Sequence, residues 1–329
     1  MSLTVKRINP FTLGEQIKTL FATNERTDFP GWFDRAYPQA VQEQASSWVL
    51  ADTDDRVLAH VGGFHTRLSV DGQVVRGGLL VNLMADKDHR TFFPVVSVIK
   101  RAVKDMRADG AEFIYTNPIN PGAVATMRAG GLNPIGDTNR YLLPIGHRNP
   151  IIDAGIAAVA VARRALLPRV NAEDVELEEA VRWTTEEVCR VSRVTPKRLP
   201  TLYSIRQAGF GEGEDFGLRL RDANGTVVGM AIIRRPPPPE AAWLTTLRCT
   251  TLEWVSGSVQ GIAAALRRRG VQRLEGRTLM GTPFTLALVR GGFLQRKEPW
   301  TVVSAGFTDL GRVAAAGLAS SDLESIDLD

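Results

Sequence analysis

The sequence predicts an α/β chain of the α+β kind, with two tandem domains, each a mixed, mostly antiparallel sheet flanked by helices. Three observations carry this. The chain has 329 residues, more than one ordinary core uses and enough for two domains of typical size. Its first half runs through three strand-like segments, then helix, strand, helix and strand. Its second half repeats that order, down to a Gly291-Gly292-Phe293 ending that echoes Gly130-Gly131-Leu132.

Composition narrows the class. With 44% hydrophobic and 23% charged residues the chain is of globular type. Its two cysteines, Cys189 and Cys249, stand outside any CxxC or Cys/His cluster, which excludes a disulfide framework and a structural zinc site. No metal is expected, and a reducing, cytoplasmic setting fits. The opening MSLTVKRINPFTLGEQ lacks the apolar stretch of a signal peptide, and no segment reaches the roughly 18 apolar residues of a membrane span. The net charge is +4. The densest basic runs are Arg163-Arg164, Arg234-Arg235 and Arg267-Arg268-Arg269, and no aromatic residues interleave with them, so no nucleic-acid partner is expected. Such runs are commonly solvated helix faces; a groove attracting a phosphorylated small molecule is the sharper reading.

In chain order, Leu13 to Phe21 is amphipathic and helical, and Ser47 to Asp52 reads as a strand turning at Asp54-Asp55 into Val57–Val70. Gly62-Gly63 marks a bulge or a close backbone approach on that strand. Asp71-Gly72 is a two-residue hairpin turn into a third strand, Val74 to Met84. From Pro94 to Met106 the apolar residues take helical spacing, with Lys100, Arg101, Lys104 and Asp105 outside, and Gly110 ends the helix. Glu112 to Tyr115 is a short strand, Asn117-Pro118-Ile119-Asn120-Pro121 a break before a short helix, and Arg140 to Pro144 a final strand.

Ile151 to Leu167 is apolar and helical in rhythm, giving a linker over 148–171 between an N-terminal domain, 1–147, and a C-terminal domain, 172–329. Its Ala-rich face suits packing between domains or, alternatively, a membrane surface. Arg182 to Arg206 reads as a helical lead-in. Phe216 to Leu220, Asn224-Gly225 and Val227 to Arg234 form a hairpin expected to match the one at Asp71-Gly72. Trp243 to Trp254 is a strand, Ser256 to Arg269 a helix, Val271 to Arg277 a strand and Pro283 to Val289 a helix.

The ordered run of strand, Arg-containing loop, long helix, strand, Asn120-x-x-Ala123 and Gly131-Leu132 resembles the GNAT superfamily of N-acyltransferases over about residues 45–145. Asn117-Pro118-x-Asn120-Pro121 with Arg140-Tyr141 and Pro144 looks like a subgroup found beside polysaccharide genes. The resemblance implies an acyl-coenzyme A donor, acetyl-coenzyme A among them. Its pantetheine arm would lie beside Leu83-Met84, its pyrophosphate at the loop Arg90-Thr91-Phe92-Phe93-Pro94-Val95, with Asn120 contributing. Family members keep glycine-like residues where this loop has Phe93 and Val95, and Pro94 removes an N–H, so a narrowed phosphate pocket is expected. Met127 stands where many relatives carry the tyrosine that protonates the leaving thiolate, and a thioether holds no such proton.

Asp86, at the exit of the third strand, is the candidate base, and Tyr115, ending the next one, is the second candidate catalytic residue. Acidic residues at strand exits commonly serve as turn caps instead. His60 and His65, five apart on one strand, face opposite sides and form no pair. In the second half Val255-Ser256-Gly257-Ser258 replaces any basic, glycine-containing loop, so that domain reads as a degenerate copy. Three functions fit: an N-acyltransferase acting on a primary amine, such as an amino sugar; a transferase taking its acyl group from an acyl carrier protein or an aminoacyl-tRNA; or a non-catalytic binding protein of the same fold.

Overall fold

A computed structural model describes residues 3–42, 45–89, 92–118, 121–186, 194–196 and 212–318. Its contacts divide the chain into two units, 1–136 with 197–211 and 300–317, and 137–196 with 212–299 and 318–329.

The sheet of the first unit runs β1 (Thr4–Ile8), β2 (Ser46–Ala51), β3 (Val57–Val70), β4 (Gln73–Ala85), β5 (Phe113–Thr116) and β14 (Trp300–Gly306). Neighbours are antiparallel except β4 and β5, which run parallel. Alternation along β2 sends Trp48 and Leu50 into one core and Val49 into another. The first core holds α3 (Phe92–Ala108), whose Val95, Val98, Ile99, Ala102 and Met106 are buried on a single stripe. It also takes Met127 from α4 (Pro121–Ala129). The second core holds α1 (Gly14–Thr23) and α2 (Phe29–Gln42), an aromatic layer in which Phe21 stacks on Phe29 and Phe33 on Tyr37. Helix α9 (Asp309–Gly317) follows β14. Neither β1 nor α2 is anticipated by the sequence patterns above.

The second unit repeats this strand order as β7 (Asn171–Val175), β9 (Glu214–Arg221), β10 (Val227–Arg235), β11 (Ala241–Cys249), β12 (Arg273–Leu279) and β6 (Asn133–Pro144). Again only the fourth and fifth strands are parallel. Its helices are α5 (Pro150–Leu166), α6 (Leu177–Glu186), α7 (Glu253–Arg268) and α8 (Pro283–Gly291). Short strands β8 (Val194–Pro196) and β13 (Leu294–Gln295), and a 3-10 turn at Lys87–His89 between β4 and α3, complete the described elements. The strand expected over 243–254 ends at Cys249, and Trp254 opens α7 instead. Apart from β8, the lead-in expected beyond Glu186 lies outside the described residues.

The units exchange segments, whereas the sequence reading cuts the chain consecutively. In each, the sixth strand comes from the opposite half of the chain. Tyr141 and Leu143 of β6 join the core of the second unit and Val303 of β14 that of the first. A two-residue period marks which face of a strand is buried but not which sheet receives it.

Strand order also corrects the hairpin match. Asn224-Gly225 joins the second and third strands of its sheet, so its counterpart is Asp54-Asp55, not Asp71-Gly72. The two turns agree bond for bond. Asp52 Oδ1 accepts from the amides of Asp54 (2.9 Å) and Arg56 (3.0 Å), and Asp222 Oδ1 accepts from those of Asn224 (2.9 Å) and Thr226 (2.8 Å). Each closes on a residue with positive φ, Asp55 at 56° and Gly225 at 84°.

Helix α5 starts at Pro150, where Asn149 Oδ1 accepts from the Ile151 amide at 3.0 Å. It packs on α7 within the second unit, and Asp153 pairs with Arg267. No helix among the described residues is long and apolar enough to cross a membrane.

Candidate functional site

The parallel pairing of β4 with β5 covers three residue pairs, Gly77 with Phe113, Gly78 with Ile114 and Leu79 with Tyr115. Strand β4 then continues to Ala85, while β5 stops at Thr116. Beyond Leu79 and Tyr115 the two strands are no longer paired. Gly77 permits the close approach that precedes the parting, because a Cβ there would sit 2.1 Å from the Phe113 ring.

Within the parted stretch β4 bulges. Its register with β3 shifts between His60 and Gly62, and Asn82 takes a left-handed φ of 54°. His60, wholly buried, braces this bulge. Its Nδ1 lies 2.9 Å from the Asn82 carbonyl oxygen and its Nε2 3.0 Å from Ser47 Oγ. A carbonyl only accepts, so Nδ1 carries the proton and Nε2 accepts from the serine hydroxyl. Burial lowers the His60 pKa to about 4, which keeps the ring neutral. Tyr37 lies beside this group with its pKa raised by burial to about 12. Its hydroxyl, near Asn82 and Ser47, makes no well-aligned hydrogen bond among the described residues, nor does Asn82 Nδ2.

The predicted donor-site residues fall at separate places. Leu83 and Met84 lie on the parted stretch and face opposite ways, Leu83 toward the α3 core and Met84 toward the α1–α2 core. Phe92, Phe93 and Pro94 form the first turn of α3, and Val95 is a buried core residue. Arg90, Thr91 and Asn120 lie outside the described residues. Met127, at the tyrosine-like position, is 2% exposed in the α3 core.

Tyr115 is buried at the last paired position, its ring 6.0 Å from that of Phe113. Asp86 closes β4 as an engaged carboxylate. Arg56 binds it at 2.8 Å, and its Oδ1 accepts from the Asp88 amide at 2.9 Å, as a turn-capping aspartate does. Sequence reasoning set His60 aside and missed Tyr37, Ser47 and Asn82. The signal available was an Asn inside an apolar strand, since Asn is enriched in the left-handed region a bulge uses.

In the second unit the corresponding strands β11 and β12 pair over Ala241–Trp243 and Arg273–Glu275 and then part in the same way. There a cavity of only about 20 Å³ is found, lined by Leu244 and Leu247 of β11, Gly276 of β12 and the rings of Tyr141, Phe284 and Phe293.

No protein-family model matches the sequence, and no curated protein matches it closely enough to count. Solved structures do match the fold. A GCN5-related N-acetyltransferase from Anabaena variabilis superposes with a TM-score of 0.66 at 9% identity, over 95% of this chain and 75% of its own. A tandem GNAT protein from the clavulanic acid biosynthesis pathway matches at 0.55 and 15% identity, over 93% and 99%. Saccharomyces cerevisiae N-myristoyltransferase, solved with myristoyl-coenzyme A, matches at 0.55 and 11%, over 92% and 78%. The chain therefore has the GNAT fold in tandem form.

Proposed function

We propose that the protein is an N-acyltransferase that uses an acyl-coenzyme A bound to the first unit. The observation that carries this is the parting of β4 from β5 beyond Leu79 and Tyr115, with a braced bulge at Asn82 inside it. Backbone groups along that opening suit the amides of a pantetheine arm, which would add to β4 as a short strand does. In the reaction the acceptor nitrogen attacks the thioester carbon, the C–S bond breaks, and the amine's proton passes to a base. The thiolate leaves as the thiol after taking a proton, and β4 N–H groups stabilise the intermediate oxyanion. This reading assigns the base to Asp86 and places Tyr115 at the mouth of the opening, with an amino sugar as the acceptor class. Asp86→Asn tests the assignment, because it preserves the turn cap while removing the base. Thiol release followed with primary amines should fall by about 100-fold in kcat.

A second reading, a non-catalytic protein of the same fold, is favoured by Met127 and Val95, which serve the core where relatives place reactive or phosphate-binding groups. Calorimetric titration with acetyl-coenzyme A separates the two. Binding with turnover supports the transferase, and binding without turnover supports the second reading. An acyl carrier protein as donor is tested by exchanging it for coenzyme A in the same assay.

A further inference from the structure

Two cavities flank α7 on the side where α5 and residues 168–172 lie, and they share Arg164, Gln260 and Ala264 as a common wall. One, of about 350 Å³, is apolar, walled by Ile156, Val159 and Ala160 of α5 and by Ala263 of α7. Val159 and Leu294, which also line it, are 50% and 51% exposed, so it leaves apolar surface uncovered. The other, of about 830 Å³, is lined by Arg164, Arg169 and Arg268, with no carboxylate among its lining residues.

Arg267 and Arg269, neighbours on α7, are paired with Asp153 and Asp174. Arg164, Arg169 and Arg268 have no acidic partner among the described residues; Arg164 donates to the Gln260 carbonyl oxygen at 3.2 Å. Each guanidinium carries five N–H donors, so most of this donor capacity faces the cavity or solvent. Between the compartments stands Gln260, 4% exposed, whose Nε2 donates to the Gly291 carbonyl oxygen. Its Oε1 is buried with no hydrogen-bond partner among the described residues. A buried acceptor left in that state is costly, and a ligand donor at this position removes the cost.

We propose that the paired cavities form one binding site for an anionic amphiphile, an alkyl or acyl phosphate. Its phosphate, taken up as the monoanion, meets Arg164, Arg169 and Arg268, its chain fills the α5–α7 compartment, and the phosphate O–H donates to Gln260 Oε1. Guanidinium groups match phosphate geometry by paired N–H···O bonds, and a phosphate monoanion keeps the O–H donor that a carboxylate lacks. The site lies wholly in the second unit and does not depend on the acyltransferase reading.

The test is calorimetric titration of the full chain with decyl phosphate below its micelle concentration, beside inorganic phosphate and decanoate. Decyl phosphate should bind to a single site at least about tenfold more tightly than either control. Arg164→Gln and Arg268→Gln should each weaken it by about tenfold, as loss of a charge-assisted hydrogen bond does. Val159→Asp, a change on a half-exposed position of α5, should weaken decyl phosphate while leaving inorganic phosphate unaffected. Absence of decyl phosphate binding, equal binding by the folded variants, or decanoate binding as tightly would each overturn the proposal. So would binding only to phosphatidic-acid vesicles, which would mean adsorption to a surface and not entry into a cavity.

Discussion

His60 holds the Asn82 carbonyl through Nδ1 at 2.9 Å and so fixes the one bulge of β4 that lies beyond its pairing with β5. The ring stays neutral because burial disfavours the charged imidazolium, which would have to sit without water in this core. The folded pKa of about 4 lies below the ordinary histidine value of 6.5, so between those pH values the unfolded chain binds more protons. Stability from this group is complete above pH 6.5 and is lost as pH falls toward about 4. The loss reaches about 3 kcal/mol. Urea melts across this range should show it, and His60→Gln should flatten the slope. A wild-type profile without that acid slope would contradict a neutral buried His60.

The matched turns at Asp52 and Asp222 give a paired prediction. Each carboxylate accepts from two backbone amides, so Asp52→Ala and Asp222→Ala should cost similar amounts, about 1–3 kcal/mol each. Asparagine at either site keeps an acceptor oxygen and should recover most of the loss. Denaturant midpoints of the four variants check both statements.

Gly77 should tolerate no side chain. A Cβ there meets the Phe113 ring at 2.1 Å, so Gly77→Ala should destabilise by about 1–3 kcal/mol. Adding Phe113→Leu should restore part of that loss if the clash is the cause. A single-variant melt unchanged from wild type would show that the ring moves freely aside.

The donor site has its own test. Arg90→Ala should weaken coenzyme A while leaving pantetheine binding unchanged, since only the former carries phosphates. Phe93→Gly should raise affinity for acetyl-coenzyme A if the aromatic fills a phosphate pocket. Calorimetry with both ligands reads the outcome, and equal loss of both on Arg90→Ala would assign that residue to the fold.

The sequence by itself determined much of the secondary structure. The stripe from Val95 to Met106, the turns at Asp54-Asp55 and Asp71-Gly72, and the break before Pro121 are local features whose spacing or turn chemistry is independent of distant partners. Its resemblance to GNAT proteins also named the fold. The tertiary structure decided what depends on long-range pairing. It sent β6 and β14 to sheets outside their own halves of the chain and matched Asn224-Gly225 with Asp54-Asp55. It also brought His60 and Ser47 to the bulge at Asn82. Strand patterning records which side chains are buried, whereas the choice of partner strand rests on contacts between residues far apart in sequence. Such contacts leave no period in the chain to read.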